Sequence, residues 1–120
     1  MKIQSLLAVV FLVDQAQIVH AVCQFTPFQG LNYALLSSNS DWDASKSACI
    51  ACGAQMMGMP SGANKAFVEQ ILGVNTVAWD TAWVNIRNDD WCSFYTFKSG
   101  GKQFSGTACN GSAKYVLCVK

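Results

Sequence analysis

The stretch Ser45 to Gln55, SKSACIACGAQ, sets Cys49 and Cys52 three residues apart. A C-x-x-C spacing serves a redox-active pair, half of a zinc site, or two anchors for separate disulfides. The surrounding residues decide. Ser40 followed by Asp43 resembles a capping box, and Asp41 and Asp43 both suit a first helical turn. Trp42, Ser45, Cys49 and Cys52 then recur at three-and-four spacing on one face, with Ala48 beside them, and Gly53 stands as a C′ terminator. The pair therefore falls near a helix C-terminus. A reactive C-x-x-C sits at a helix N-terminus, where the dipole lowers the thiol pKa. Both cysteines look into the core and each reaches a different strand, so CIAC reads as two diverging disulfides.

The N-terminus places the chain in a compartment where such bridges persist. Met1-Lys2 is a short positive segment, Leu6 to Val13 (LLAVVFLV) is an apolar run, and Val19-His20-Ala21 offers small residues for a signal peptidase. The run stops at Asp14, far short of the roughly 20 residues that span a bilayer. Residues 1–21 are expected to be a signal peptide, leaving 22–120 as one soluble, secreted domain of roughly 99 residues. A core that small is commonly supplemented by disulfides in exported proteins. All six cysteines (Cys23, Cys49, Cys52, Cys92, Cys109 and Cys118) lie beyond the cut. An even count favours three bridges, whose pairing the spacing leaves open.

Composition removes several function classes. The net charge of +1 with 12% charged residues carries no electrostatic footprint for nucleic acid or an anionic membrane. Cleavage would remove His20, the only histidine, and with it Cys-His and Ser-His-Asp chemistry and any mixed Cys/His zinc site. Glu69, the only glutamate, reads as solvated on the polar side of a helix. Asp41, Asp43 and Asp80 have no evident partner for a glycosidase-like pair. An enzyme is not expected.

The remaining segments alternate cleanly. Asn32 to Leu36 (NYALL) reads as a strand, and the Met- and Gly-rich QMMGMPSG as a loop packing its Met side chains inward. Ser61 is placed to cap a second helix whose face is Ala63, Ala66, Phe67, Gln70 and Ile71, ending at Gly73. Ala82 to Ile86 is a short strand, and Cys92 to Phe97 another, with Phe94 and Tyr95 on opposite faces. SGGK reads as a hairpin turn, KQFSGTAC as its returning strand and Tyr115 to Val119 as a last buried strand. Grouped helices followed by strands make the chain α+β.

These residues resemble the C-type lectin-like domain family from about Asn32 onward. The resemblance rests on Trp42-x-Ala44-x4-Cys49, Gly53-Ala54, Met59-Pro60-Ser61 and Phe67-Val68, and on Trp83-Val84-Asn85-Ile86 where the family carries Trp-Ile-Gly-Leu. Its closing three-cysteine spacing is matched by Cys92, Cys109 and Cys118. The resemblance implies two helices on small antiparallel sheets, with Cys49–Cys118 and Cys92–Cys109 as bridges and Cys23 and Cys52 left to pair.

Two departures bear on calcium. Sugar-binding members carry a long loop with a Glu-Pro-Asn or Gln-Pro-Asp triplet; here only Arg87-Asn88-Asp89-Asp90-Trp91 separates Ile86 from Cys92. The family's Trp-Asn-Asp ligand triplet aligns with Phe104-Ser105-Gly106, which offers one hydroxyl to an ion that wants six to eight oxygens. No calcium, metal or other cofactor is expected, and Asn88-Asp89-Asp90 reads as a solvated turn. The distal tip Arg87 to Trp91 is the candidate ligand contact, since aromatics and Arg supply interface energy; the competing reading has Trp91 filling the space the missing loop would cover. Trp42, Trp83 and Phe104 are assigned to the core, and Asn110-Gly111-Ser112 is a glycosylation sequon in a turn.

The resemblance implies a secreted, calcium-independent recognition module for a protein or glycan surface, in innate-immune or secretory roles. A carbohydrate-binding lectin and a disulfide-stapled matrix protein are the alternatives. Intact-mass analysis of the exported protein is expected to give a chain beginning at Val22 with all six thiols oxidised, and alkylation without reductant should add no label.

Overall fold

The computed structural model describes residues 23–102 and 106–120; the expected leader, Phe104 and Ser105 lie outside the described residues. Strands β1 (Thr26–Phe28) and β2 (Leu31–Ser40) turn back on each other at Gln29-Gly30, where both residues have positive φ (49° and 85°). That conformation matches the twist of a two-residue hairpin, and glycine takes it without steric cost. Helix α1 (Trp42–Ala51) and the short β3 (Gln55–Met56) follow. Next come α2 (Gly62–Phe67), continuing as a π-helical segment (Val68–Leu72), then β4 (Thr81–Asn88), β5 (Trp91–Thr96), β6 (Gly106–Ala108) and β7 (Ala113–Val119).

The strands join in one sheet, β1-β2-β7-β4-β5-β6, with β3 also on β7. β7 runs antiparallel to β2, from Tyr33↔Val119 to Ser37↔Tyr115, and parallel to β4 at Ala82↔Tyr115 and Trp83↔Val116. The small antiparallel sheets implied by the resemblance are thus fused through a parallel pairing. Val116, Leu117 and Cys118 are wholly buried in succession because both faces of β7 are covered. Val116 and Cys118 pack with Trp42, Cys49 and Trp83; Leu117 packs with Phe67, Val68, Val84, Tyr95 and Phe97. Phe94 and Tyr95 fall on opposite sides of β5, and Met56 and Met57 are buried.

Two buried indoles brace the β2–α1 corner against β4. Trp42 Nε1 donates to the Val84 carbonyl and Trp83 Nε1 to the Ser40 carbonyl, each at 2.9 Å. Each ring buries its apolar body while its one donor is satisfied, which is what makes tryptophan tolerable in a core.

Four expectations need correction. The N-cap of α1 is Asp41, whose Oδ1 accepts the Ala44 N–H at 2.8 Å. Ser40 still belongs to β2, and its hydroxyl meets that of Ser45 at 3.2 Å. Ser61 does occupy the N-cap of the second helix, but its side chain makes no capping bond. The buried stripe of that helix is Phe67 and Val68, while Ala63, Ala66, Gln70 and Ile71 are exposed. Widening into the π-helical turn at Val68 changes the angular spacing on which the three-and-four pattern relied. Glu69 is half-buried and engaged rather than freely solvated: it accepts from the Tyr95 hydroxyl and from the Lys98 N–H. Burial, then the hydrogen bond and charge of Glu69, push the Tyr95 hydroxyl pKa up.

The three bridges are Cys49–Cys118, Cys92–Cys109 and Cys23–Cys52. The C-x-x-C pair diverges: Cys49 ties α1 to β7, and Cys52, at the helix C-cap, ties it to the segment before β1. Gly53 follows with φ 71°, the left-handed C′ residue. Sequence separations of 69, 29 and 17 rank their constraint on the unfolded chain at about 4, 3.5 and 3 kcal/mol. Denaturant unfolding of C49A/C118A is expected to show the largest loss, about 4 kcal/mol or more because both sulfurs are also fully buried, with C92A/C109A losing less.

Candidate functional site

β4 and β5 stay paired to a two-residue turn. Arg87↔Cys92 and Asn88↔Trp91 are the last rungs, and Asp89, with φ 54°, begins the reversal that Asp90 completes. Aspartate visits that region more readily than most residues because its short side chain bonds locally. Arg87 fastens the tip: its Nε donates to the Asp89 carbonyl at 2.9 Å. Its Nη1 reaches both carboxylate oxygens of Asp43, at 3.2 and 3.3 Å. Its guanidinium also lies 5.4 Å from the Trp42 ring centroid. With side chains 38% and 72% exposed, the ion pair is worth at most about 1 kcal/mol, so its role is orientation.

The loop after β6 completes the enclosure. Cys109 N donates to the Asp90 carbonyl at 2.9 Å, and the Cys109 carbonyl accepts from Trp42 N at 3.1 Å. One residue, itself bonded to Cys92, therefore links the hairpin tip to the first turn of α1. Between these elements lies a cleft of about 410 Å³ lined by Asp41, Asp43, Arg87, Asp90, Ala108, Cys109 and Asn110. Three carboxylates face one guanidinium, with the Asn110 amide alongside. The lining is acceptor-rich and suits a ligand that donates hydrogen bonds.

Of the five residues expected at the tip, Arg87 and Asp90 line the cleft; Asn88, Asp89 and Trp91 do not. Asn88 and Asp89 are exposed in the turn. Trp91 is 56% exposed, follows Asp90 in the chain and pairs across strands with Ala108. Its inner edge lies over Gly106, where an added Cβ would stand 2.4 Å from the indole Nε1. One edge of Trp91 thus covers ground next to the shortened loop, and over half the residue faces solvent. Asp41 and Asp43 were legible only as helix-start residues and Asn110 only as a sequon. The signal that unites them is the Cys92–Cys109 bridge, which draws the Asn110 turn toward the hairpin.

The same observations test the fit of a calcium ion. Position 106 has no side chain and is roofed by Trp91, the hairpin leaves no long loop, and Asp43 is engaged by Arg87. Among the described residues no group of three or more His, Cys, Asp or Glu is disposed to hold a metal ion. At Gly106 and the shortened hairpin, where the resembled family holds its ion, the described residues do not supply the oxygens that calcium takes. G106A is expected to lower stability by about 1–3 kcal/mol through overpacking against Trp91 and the Cys92 carbonyl. In a W91A background the same change should cost measurably less, as a double-mutant cycle by denaturant unfolding will register.

No family model and no curated protein sequence matches this chain. Solved structures do. EMS16, an antagonist of the collagen receptor integrin α2β1, superposes with a TM-score of 0.63 at 17% identity, over 79% of this chain and 94% of its own. A Ca2+-dependent type II antifreeze protein in its Ca2+-free form gives 0.57 at 16% identity, over 80% and 96%. The trimeric Kupffer cell C-type lectin receptor Clec4f gives 0.56 at 16% identity, over 89% of each chain. At such identities the likeness concerns architecture: the chain has the C-type lectin-like fold.

Proposed function

We propose that the chain is made with a cleavable leader, residues 1–21, and acts outside the cell as a recognition module, residues 22–120, that needs no calcium. Its ligand is a glycan or glycan-bearing protein surface seated at the cleft between the hairpin tip and α1. One observation carries this reading: Asp41, Asp43, Arg87, Asp90 and Asn110 converge beside the half-exposed indole of Trp91. Sugar hydroxyls donate to carboxylates and accept from guanidinium and amide groups, while an indole packs against an apolar sugar face. Arg87 supplies the fixed positive charge of the cleft.

The fold's other bearers favour binding over catalysis, since EMS16 antagonises an integrin and Clec4f is a receptor. An enzyme is disfavoured here because residues 22–120 contain no histidine and the single glutamate is engaged by Tyr95 and Lys98. An exported, disulfide-stapled binder of surface glycans suits an innate-immune role. Asn110 is exposed on the cleft lining, so a glycan attached to it would crowd the site.

A glycan array probed with and without EDTA tests the proposal. Binding is expected to persist in EDTA, to fall at least tenfold in R87A and W91A, and to be retained or improved in N110Q. Saturating calcium should leave the melting temperature unchanged; a rise of several degrees would reveal a native-state ion site and overturn calcium independence. Binding abolished by EDTA, or unaffected by both R87A and W91A, would overturn the site.

A further inference from the structure

Eight large hydrophobic residues stand exposed among the described residues, and four of them (Ile71, Val74, Val77 and Trp79) fall within the single stretch 71–79. Val74 is 64% exposed, Val77 60% and Trp79 50%. This stretch joins the π-helical turn to β4, at the opposite end of β4 from the cleft.

Its backbone is nearly closed on itself. Gly73 N donates to the Val68 carbonyl, Val74 N to Ile71, Thr76 N to Gly73, Trp79 N to Phe97 and Asp80 N to Val77. Val77 N donates to Asp80 Oδ2, the Thr76 hydroxyl to the Gly73 carbonyl, and the Lys98 ammonium to the Thr76 carbonyl. With these bonds made, the loop can approach a medium poor in hydrogen-bond partners without leaving those main-chain groups unsatisfied.

The charges around the loop are sorted by direction. Asp80, its side chain 11% exposed, is turned inward onto Val77 N and Lys114, and Glu69 inward onto Tyr95 and Lys98. Lys65 and Lys98 are exposed, and the Lys114 side chain is 51% exposed. Four of the acids, Asp41, Asp43, Asp89 and Asp90, gather at the far end of β4, about 25 Å away at the rise of a strand. The near-neutral total, which suggested no footprint for an anionic surface, conceals this separation.

We propose that the loop Gly73–Trp79, with Ile71, is an interfacial anchor that seats on anionic phospholipid bilayers. Val74 and Val77 enter between headgroups, Trp79 lies at headgroup depth, and Lys65 and Lys98 meet the phosphates. The anchor shares no residue with the glycan cleft, so either can fail alone.

The test is co-sedimentation of the purified full domain with vesicles of phosphatidylglycerol and phosphatidylcholine in equal parts, against phosphatidylcholine alone. Partitioning is expected into the anionic vesicles, at least tenfold weaker into the neutral ones, and decreasing with added salt. V74S/V77S should bind at least tenfold more weakly with an unchanged melting temperature, and K65E should weaken binding without touching the apolar tips. In W91F protein, anionic vesicles should shift tryptophan emission to the blue through Trp79, since Trp42 and Trp83 are already buried. Absence of partitioning into the anionic vesicles would overturn the proposal, as would equal binding by V74S/V77S. A lipid-free dimer dissolved by V74S/V77S would also overturn it, by making a second copy the occupant.

Discussion

Burial of β7 on both faces is the constraint on which the rest of the molecule depends. A strand covered on one side alternates; this one must be apolar without interruption, and Val116-Leu117-Cys118 is. Several elements reach it: β2 along its length, β4 through a parallel pairing, β3 at its end, α1 through Cys49 on one face and the π-helical turn on the other. β7 is the last of the described strands in sequence and lies between β2 and β4 in space. The long Cys49–Cys118 bridge therefore restrains nearly all of the domain that lies between its ends.

A second constraint follows from the two-residue turn between β4 and β5. With no long loop to fold over it, the start of β5 is covered by Trp91, which lies across Gly106 of β6 where an added Cβ would collide with the indole. The tip is then held against α1 by Arg87, which lies over the Trp42 ring and bonds Asp43 through Nη1, and by Cys109, which hydrogen-bonds to both sides. The guanidinium matters because its Nε bonds the Asp89 carbonyl while its Nη1 holds Asp43, two donors fixed in one plane that a lysine's single nitrogen does not offer. The result is a polar cleft whose positive charge belongs to the protein.

The two ends of β4 thus differ in chemistry. At one end carboxylates surround an arginine; at the other, ammonium groups border a bare aliphatic loop whose polar atoms are bonded inward. A strand of eight residues separates them, so the fold can present both surfaces without their charges cancelling locally at ordinary ionic strength.

Much of this could be read from residues alone. Period and capping chemistry located α1, the alternation of Phe94 and Tyr95 set the faces of β5, and the run at Val116 marked a buried strand. These signals are local, because they depend on neighbours within a turn or a pleat. The resemblance, carried by tryptophans and cysteines at set spacings, supplied the architecture. Tertiary structure decided what local signals cannot carry. Asp41 displaced Ser40 as the cap because Ser40 was held in the sheet; a π-helical turn moved the buried face to Val68; Glu69 was drawn to Tyr95. The cleft itself unites residues 41, 43, 87, 90 and 110, segments far apart in sequence whose meeting depends on a hairpin and on the disulfide that leaves one of its last rungs. Sequence determined which side chains could bury or bond, and only the packed chain decided which of them met.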